Sequence, residues 1–338
     1  MKFALQFAEK GRGKVAPNPM VGCVIVKDDK VIAEGYHQQY GGPHAEVNAI
    51  NSLPSNFDFT DCTLYVNLEP CSHYGKTPPC SDLIISKKFK RVVVGNLDTN
   101  PLVAGKGIQN LKDAGIEVSS GIINSESREL NKRFFWFHEK KQPYVILKWA
   151  ETKDGFISRE PLPANKEDNW ITSAESKKLV HQWRAEEQAI MVGTNTVIVD
   201  DPELTTRLVD GNNPVRVIID RGLKLPRTSK VFSTNGRVII VTDKDVTDEA
   251  NITYCKVNFD KDFVKSLLNK LFELSIQSLI IEGGSKLLNS FIEAGAWNEA
   301  RVFVGEKEFE KGIKAPVFDK TVAEMEIVGV DKLYTIKK

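Results

Sequence analysis

The sequence predicts an α/β protein of two domains, the first of them built on a largely parallel sheet. Apolar strand-like runs alternate with amphipathic helical segments, which is typical of parallel sheets covered by helices on both faces. At 338 residues the chain exceeds the usual length of one domain, and about 150 residues per domain suggests two. A charged run closed by proline, His138 to Pro143, separates the two patterns. We therefore predict domains at residues 1–141 and 142–338.

The first half predicts a short amphipathic helix over residues 1–11, with Ala4, Phe7 and Ala8 facing inward. Two apolar runs then flank Asp28-Asp29, which is typical of a β-hairpin. The predicted elements after residue 11 are strands 21–26 and 30–35, helix 44–53, strand 63–69, helix 81–88, strand 91–97, helix 106–114, strand 116–119 and helix 125–139.

The second half begins with strand 144–150 and helix 173–187, for which Thr172 or Ser173 is the expected N-cap. Lys148 lies in the apolar strand, where the ordinary interpretation is an edge lysine with its ammonium in solvent. The segments 193–196 and 200–207 are predicted to be loops. The other predicted elements are strands 189–192, 215–220, 237–242, 278–282 and 301–304, and helices 261–274 and 286–294.

Two motifs of the first half carry metal-ligand chemistry. His44-Ala45-Glu46 is followed by Glu69-Pro70-Cys71 and then, in a Cys-x8-Cys spacing, by Cys80. An imidazole and two thiols fill three tetrahedral positions on Zn²⁺ and leave the fourth for water, which zinc acidifies. Glu46 can exchange protons with that water. This order of residues is typical of zinc nucleobase deaminases, although their general signature has Cys-x2-Cys.

Composition excludes several classes of protein. A net charge of +1 without a Lys/Arg-rich stripe argues against nucleic-acid binding. We find no apolar run of about 18 residues and no signal-peptide pattern, so neither a membrane nor a secreted location is expected. Five cysteines, an odd number, favour a reducing cytoplasm over a disulfide framework. Cys23, Cys62 and Cys255 lie in or beside apolar stretches and are expected in the core.

The second half carries a glycine turn. Gly283-Gly284 stands between an apolar strand and a helix, where backbone N–H groups can approach a phosphate. No nucleophile, triad or second metal-ligand set accompanies it. From these residues alone the second domain is an anion- or nucleotide-binding module.

Motifs of both halves follow the pattern of one enzyme family. In the first half the motifs are Pro17-Asn18-Pro19-Met20-Val21-Gly22, His44-Ala45-Glu46 and Glu69-Pro70-Cys71 through Thr77-Pro78-Pro79-Cys80, whose Cys-x8-Cys spacing matches the family. In the second half they are Lys148-Trp149-Ala150 with Asp154-Gly155, Trp170-Ile171-Thr172-Ser173, Arg184, Asp200-Asp201-Pro202 to Arg207, and Glu282-Gly283-Gly284. With these motifs the chain resembles the bifunctional diaminohydroxyphosphoribosylaminopyrimidine deaminase / 5-amino-6-(5-phosphoribosylamino)uracil reductases of riboflavin biosynthesis. The resemblance covers nearly the whole chain.

The resemblance implies a cytidine-deaminase-like first domain and a dihydrofolate-reductase-like second domain, with Zn²⁺ and NADPH as cofactors. The first would deaminate a diaminopyrimidinone ribosyl phosphate, and the second would reduce the ribosyl group to ribityl. A cytoplasmic homo-oligomer is expected. By carry-over, zinc is held by His44, Cys71 and Cys80, and Glu46 moves protons. The first pocket is lined by Asn18, His37, His73, Lys76, Thr77, Asp98 and Asn100. In the second, the cofactor meets Ala150, Trp170, Thr196, Asp200, Gly283 and Gly284, and the substrate meets Asp168, Arg184, Leu204, Arg207 and Glu282.

Three positions depart from the family pattern. Asp168 stands where serine is usual, Gln188 where aspartate is usual, and Lys153 where leucine is usual. They leave open a zinc deaminase whose second domain is inactive or only binds ligands. Two further hypotheses are a deaminase of nucleic-acid bases and a non-catalytic paralogue. The low net charge argues against the nucleic-acid deaminase, and the complete ligand set with Glu46 argues against the paralogue.

Overall fold

Both halves of the chain fold as sheets with helices packed against them, so the predicted α/β class is confirmed. The structure is a computed structural model that describes residues 1–74, 78–100, 103–233 and 235–338. Its chain divides into two units, Met1–Lys141 and Gln142–Lys338. Each unit has an apolar core of its own, in which Cys23 and Cys62 of the first unit and Cys255 of the second are buried, as predicted.

The first unit has a five-stranded sheet in the order β2-β1-β3-β4-β5. Asp28 and Asp29 both have positive φ, 50° and 59°, as the two central residues of a tight hairpin turn require. Because this hairpin makes β1 antiparallel to β2, and β1 is also antiparallel to β3, only β3, β4 and β5 are parallel. The expected largely parallel sheet is therefore wrong for this unit. Its elements are α1 (Lys2–Glu9), β1 (Gly22–Lys27), β2 (Lys30–Tyr36), α2 (Ala45–Asn51), β3 (Thr63–Leu68), α3 (Cys80–Ser86), β4 (Arg91–Asn96), α4 (Lys106–Asp113), β5 (Glu117–Ser120), α5 (Asn124–Leu130) and α6 (Lys132–Lys140).

The single helix predicted over 125–139 is wrong, because it is interrupted at Asn131 between α5 and α6. The Asn131 side chain accepts a hydrogen bond from the backbone N–H of Met20 at 2.8 Å and donates one to the carbonyl of Met20 at 2.8 Å. An amide that pairs with a distant backbone in this way fixes the chain at the interruption. The contact depends on tertiary structure and leaves no local sequence signal.

The second unit has a nine-stranded sheet in the order β11-β10-β9-β8-β12-β6-β13-β16-β15, and β7 pairs with β14. All pairings from β11 to β13 are parallel. Strand β16 is antiparallel to both of its neighbours, β13 and β15. Its elements are β6 (Tyr144–Glu151), β7 (Phe156–Arg159), a 3-10 turn (Lys166–Asn169), α7 (Ala174–Glu186), β8 (Ala189–Gly193), α8 (Thr194–Asp200), β9 (Val215–Ile219), α9 (Lys230–Ser233), β10 (Val238–Thr242), β11 (Ile252–Lys256), α10 (Phe263–Glu273), β12 (Ser278–Glu282), α11 (Ser285–Glu293), β13 (Glu299–Val304), β14 (Gly312–Lys314), β15 (Glu324–Val328) and β16 (Asp331–Lys337).

Several elements of this unit were not predicted. The segment predicted as a loop at 193–196 begins the helix α8, which is held by a hydrogen bond from the Thr194 hydroxyl to the carbonyl of Ile219 and by the buried Val197. Sequence propensity gives no sign of it, since Thr and Asn are weak helix formers. Strand β15 was missed although Glu324-Met325-Glu326-Ile327 alternates polar and apolar residues, because the run is short and most of its residues are exposed rather than part of a core. Strands β7, β11, β14 and β16 were missed as well. Ser173, one of the two expected caps, is the N-cap of α7.

Candidate metal centre and cavity

Three predicted metal ligands converge at the ends of three elements in the first unit. His44 is the N-cap residue of α2, Cys71 follows β3, and Cys80 is the first residue of α3. Nδ1 of His44 lies 3.5 Å from Sγ of Cys71 and 3.3 Å from Sγ of Cys80. The three ligand atoms all lie within 4.8 Å of one another. One imidazole and two thiols at this separation fit a tetrahedral zinc ion with one position left open.

The local backbone favours the ionised thiol that zinc requires. Pro79 is the N-cap residue of α3, and the backbone N–H of Cys80 donates to Sγ of Cys71 at 3.3 Å. Hydrogen bonds from Cys80 and His44 outweigh burial and lower the pKa of Cys71 to about 4. A thiolate is the form that binds a metal. With its lowered pKa, the Cys71 thiol loses its proton at little cost in free energy when it becomes a ligand.

Glu46 lies in the first turn of α2, two residues after His44, and its exposed fraction is 3%. Burial raises the pKa of this carboxyl, although the nearby His44 lowers it. A carboxyl in such an environment can hold a proton closer to neutral pH than one in water. The site therefore joins a metal-ligand set to a group able to carry a proton.

Asn18 and His37 are linked beside the ligand set. The Asn18 amide Nδ2 lies 3.0 Å from Nε2 of His37, and Nδ1 of His37 lies 2.9 Å from the carbonyl of Pro43. A carbonyl only accepts hydrogen bonds, so Nδ1 carries the proton and Nε2 accepts from the amide. Burial lowers the pKa of His37, in agreement with a neutral ring. This tautomer fixes the orientation of the Asn18 side chain.

Asp98 is nine-tenths buried in the loop after β4, and burial raises its pKa to about 6. Its side chain accepts from the backbone N–H of Asn100 at 2.7 Å, and its own N–H donates to Glu69 at 3.2 Å. His73 is exposed in the loop after Cys71. The predicted pocket residues Lys76 and Thr77 lie outside the described residues.

The sequence analysis did not identify two buried polar residues that position this site. Glu69 accepts hydrogen bonds from the backbone N–H groups of Asp98, Gly105 and Ile108, which ties the start of the Cys71 loop to α4. Asn67 accepts from the N–H of Gly22 at 2.7 Å and so holds the chain after Asn18. A polar residue inside the apolar run of β3 was the one available sign of Asn67.

The second unit contains a cavity of about 1060 Å³ near the carboxyl ends of its parallel strands. All of the predicted cofactor and reductase-substrate residues line it except Asp168. These are Ala150, Trp170, Arg184, Thr196, Asp200, Leu204, Arg207, Glu282, Gly283 and Gly284. Asp168 is exposed in the 3-10 turn, and the cavity wall begins at the next residue, Asn169.

The turn between β12 and α11 has a backbone conformation and a close contact with Thr196 that favour glycine. Gly283 and Gly284 have φ values of 102° and 60°, which side chains rarely adopt, and they lead into the nine-residue helix α11. A Cβ atom added to Gly283 would lie 3.1 Å from Oγ1 of Thr196. A helix N-terminus that follows two glycines presents backbone N–H groups, which fit a phosphate of a dinucleotide such as NADPH.

Lys148, Arg184 and Glu282 form a charged group on the cavity wall. Arg184 meets Glu282 with Nε at 3.0 Å from Oε1 and Nη2 at 2.7 Å from Oε2, and Lys148 Nζ lies 3.8 Å from Oε2. The edge-lysine interpretation of Lys148 is wrong, because β6 lies between β12 and β13 inside the sheet. Burial lowers the pKa of its ammonium. Strand order, which decides this, cannot be read from the residues around Lys148.

Two family models match the chain in separate regions. Residues 1–96 match the cytidine and deoxycytidylate deaminase zinc-binding region, and residues 143–307 match the RibD C-terminal domain. In the part of the chain that the structure describes, no helix is both long and apolar enough to cross a membrane.

Relatives and solved structures are similar over nearly the whole chain. The riboflavin biosynthesis protein RibD of Aquifex aeolicus is 41% identical over 100% of this chain and 93% of its own length, and that of Escherichia coli is 36% identical over 91% and 87%. A crystal structure of the Thermotoga maritima diaminohydroxyphosphoribosylaminopyrimidine deaminase/5-amino-6-(5-phosphoribosylamino)uracil reductase has a TM-score of 0.88 at 38% identity, covering 100% of this chain and 97% of that one. Acinetobacter baumannii RibD has a TM-score of 0.88 at 32% identity, covering 99% and 97%. The chain therefore belongs to the RibD family of riboflavin biosynthesis, whose members join a zinc-binding deaminase domain to a reductase domain that uses NADPH.

Proposed function

We propose that residues 1–141 carry out the deamination and residues 142–338 the reduction, each with the residues derived above. The observation that carries the first assignment is the convergence of His44, Cys71 and Cys80 within 4.8 Å beside the buried Glu46. The second is supported by a cavity that collects all but one of the predicted reductase residues. The same cavity argues against a second domain that has lost its site.

In the deaminase site, His44, Cys71 and Cys80 would hold zinc, which would supply an acidified water for the hydrolytic deamination of the pyrimidine. Glu46 moves protons between that water and the departing ammonia. Its two-residue distance from His44 and its burial suit this role. The products are ammonia and the pyrimidinedione that the second site receives.

Neighbouring polar groups orient the pyrimidine and its ribosyl phosphate. Asn18 has a fixed orientation because His37 accepts from its amide at 3.0 Å. Asp98 and Asn100 offer hydrogen-bonding groups on the loop after β4. Burial raises the pKa of Asp98 to about 6. His73, Lys76 and Thr77 complete the proposed pocket by family resemblance.

In the reductase site, the Gly283-Gly284 turn and the start of α11 would hold the NADPH phosphates, and Thr196 packs against the turn. The other proposed cofactor contacts are Ala150, Trp170 and Asp200. Hydride comes from the cofactor, so the protein has to orient the two reactants and exclude water.

Arg207 is the proposed anchor for the substrate phosphate, and Leu204 forms the wall beside it. Arg207 is exposed to the cavity and has no hydrogen bond or ion pair to another described residue. Arg184 is also a proposed substrate residue, but two of its nitrogens are committed to Glu282. Its contribution is to hold Glu282 toward the substrate. Asp168 would reach the substrate only from outside the cavity wall.

A homo-oligomer is the proposed assembly, with a second copy of this chain on strand β15. This strand lies at the edge of the nine-stranded sheet, and Met325 and Ile327 on it are 52% and 60% exposed. An exposed apolar edge strand is a ready surface for pairing. Sedimentation should give more than one chain per particle, and Ile327→Glu should shift it toward one.

The cytoplasm is the proposed location, and it is supported by five free cysteines, two of them needed as thiolates for zinc. Cell fractionation of the source organism tests this.

The function itself is tested by supplying the purified protein with the diaminopyrimidinone ribosyl phosphate and NADPH. Ammonia release and NADPH oxidation should both occur, and their absence would refute the assignment.

A further inference from the structure

One face of α7 forms part of the cavity wall in the second unit. Lys177, Val180, His181 and Arg184 all line the cavity, and their spacing of three and four residues places them on the same side of the helix. Lys177 and Arg184 are cations, as expected for a site that takes an anionic substrate. His181 stands between them and is not one of the residues proposed above to bind cofactor or substrate.

The His181 imidazole is buried, and no described residue makes a hydrogen bond to it. Its exposed fraction is 2%, and Nδ1 has no hydrogen-bond partner among the described residues. Buried polar groups in folded proteins are nearly always hydrogen-bonded, so a core histidine would be expected to have a partner. Nδ1 has almost no accessible surface, so Nε2, which has no partner among the described residues either, is the ring nitrogen that a ligand in the cavity can reach.

The charges around His181 identify the kind of ligand. The ionised groups that act on it are Lys177 and Arg184 from α7, Arg207 from the loop after α8, and Glu282 from β12. Arg184 is already paired with Glu282 through two contacts. Lys177 and Arg207 therefore leave an excess of positive charge beside the ring, and burial with Arg184 and Arg207 lowers the pKa of His181 to about 4.

A neutral ring suits this position. A protonated imidazole would repel the adjacent guanidinium groups, whereas a neutral imidazole can donate one N–H to an oxygen anion without adding charge. Phosphate oxygens are strong acceptors and make short hydrogen bonds to such donors. The cationic corner and the unsatisfied donor together fit the phosphate end of the substrate.

We propose that His181 is a substrate-binding residue of the reductase site, where its neutral imidazole hydrogen-bonds the phosphate of the deaminated intermediate beside Arg207. This assignment rests on the reductase function proposed above. Arginine attracts the phosphate by charge. A neutral imidazole adds a directional hydrogen bond, which helps to fix the position of the phosphate.

The test compares two substrates in four proteins. The substrates are the deaminated intermediate and its phosphate-free riboside, and the proteins are the wild type, His181→Leu, His181→Gln and the control Gln182→Leu. Gln182 is exposed on α7, and Glu186 is the one described residue that its side chain bonds. Steady-state NADPH oxidation gives KM for each substrate, and the dissociation constant of NADPH is measured separately.

We expect His181→Leu to raise KM for the phosphorylated intermediate about 10- to 100-fold, the loss expected for one hydrogen bond to a charged group. With the riboside, His181→Leu and wild type should have the same KM, because the contacted group is missing. NADPH affinity should be unchanged, His181→Gln should recover much of the loss, and Gln182→Leu should behave as wild type.

Two results would overturn the assignment: an unchanged KM for the phosphorylated intermediate in His181→Leu, or an equal loss with both substrates, which would indicate a structural role. A wild type that oxidises no NADPH with the intermediate would instead refute the reductase function itself. Should His181→Leu fail to fold, ¹⁵N spectra of the wild-type imidazole decide the question. Its resonances should move when the intermediate is added without cofactor, and unmoved resonances would contradict the contact.

Discussion

Arg184 and Glu282 form a paired contact on the reductase cavity wall, with Nε 3.0 Å from Oε1 and Nη2 2.7 Å from Oε2. The two side chains are only 13% and 10% exposed. Burial raises the pKa of Glu282, but Arg184 and Lys148 outweigh it and lower the pKa to about 2. Glu282 is therefore ionised at any physiological pH, and its orientation depends on Arg184.

Removing the arginine should destabilise the second unit. Arg184→Met leaves the Glu282 carboxylate buried with only Lys148 at 3.8 Å, and we expect a loss of about 3 kcal/mol in the free energy of unfolding, measured with urea. The double variant Arg184→Met/Glu282→Leu should lose less than the single one, because no unpaired charge remains. Equal stability of Arg184→Met and wild type would contradict the role given to this pair.

The buried neutral His181 should make the second unit less stable in mild acid. Its folded pKa of about 4 lies below the ordinary value of 6.5. Between those values the unfolded chain binds a proton that the folded protein does not, so stability falls as pH drops from about 6.5 to 4. We expect about 1–3 kcal/mol of the loss to come from this residue.

His181→Gln is the matched variant for that measurement, since it has no proton to bind in this range. Denaturation curves at pH 7 and pH 5 should differ less in the variant than in the wild type. A wild type and variant with the same pH dependence would contradict the lowered pKa.

At the deaminase site, loss of zinc and loss of proton transfer should be separable by two different substitutions. Cys71→Ser removes a thiolate ligand, so the chain should lose both zinc and ammonia release. Glu46→Gln keeps the shape of the side chain but cannot accept a proton, so zinc should remain while deamination falls about 100-fold or more. Elemental analysis and an ammonia assay measure the two quantities. Wild-type deamination in Glu46→Gln would assign the proton transfer to another group.

Arg207→Ala should weaken the reductase substrate alone. Its guanidinium has no partner among the described residues, so the change removes a free charge from the cavity and leaves the fold intact. Losing a charge-assisted contact to phosphate should cost about 1.5–3 kcal/mol in binding of the intermediate, seen as a higher KM. The rate of ammonia release serves as the internal control. A parallel loss of deamination would mean that the two sites are coupled.

The metal centre could be predicted because its chemistry needs few residue types in one order. His44, Cys71 and Cys80 converge in space as their spacing indicated. The residues that position them could not, since Glu69 accepts from backbone N–H groups 29 to 39 residues further along the chain and these contacts exist only in the folded chain. Lys148 was misplaced for the same reason, because strand order follows from tertiary structure. His181 gave no signal, since a histidine on an amphipathic helix is ordinary until its cavity is known.

The central claim is that one chain carries two independent active sites in sequence, and the Glu46→Gln protein tests it most directly. NADPH oxidation by this variant is measured twice, once with the diaminopyrimidinone ribosyl phosphate and once with the deaminated intermediate. We predict almost no oxidation with the first substrate and the wild-type rate with the second, because Glu46 serves only the deaminase. Loss of oxidation with both substrates, or wild-type oxidation with both, would contradict the account.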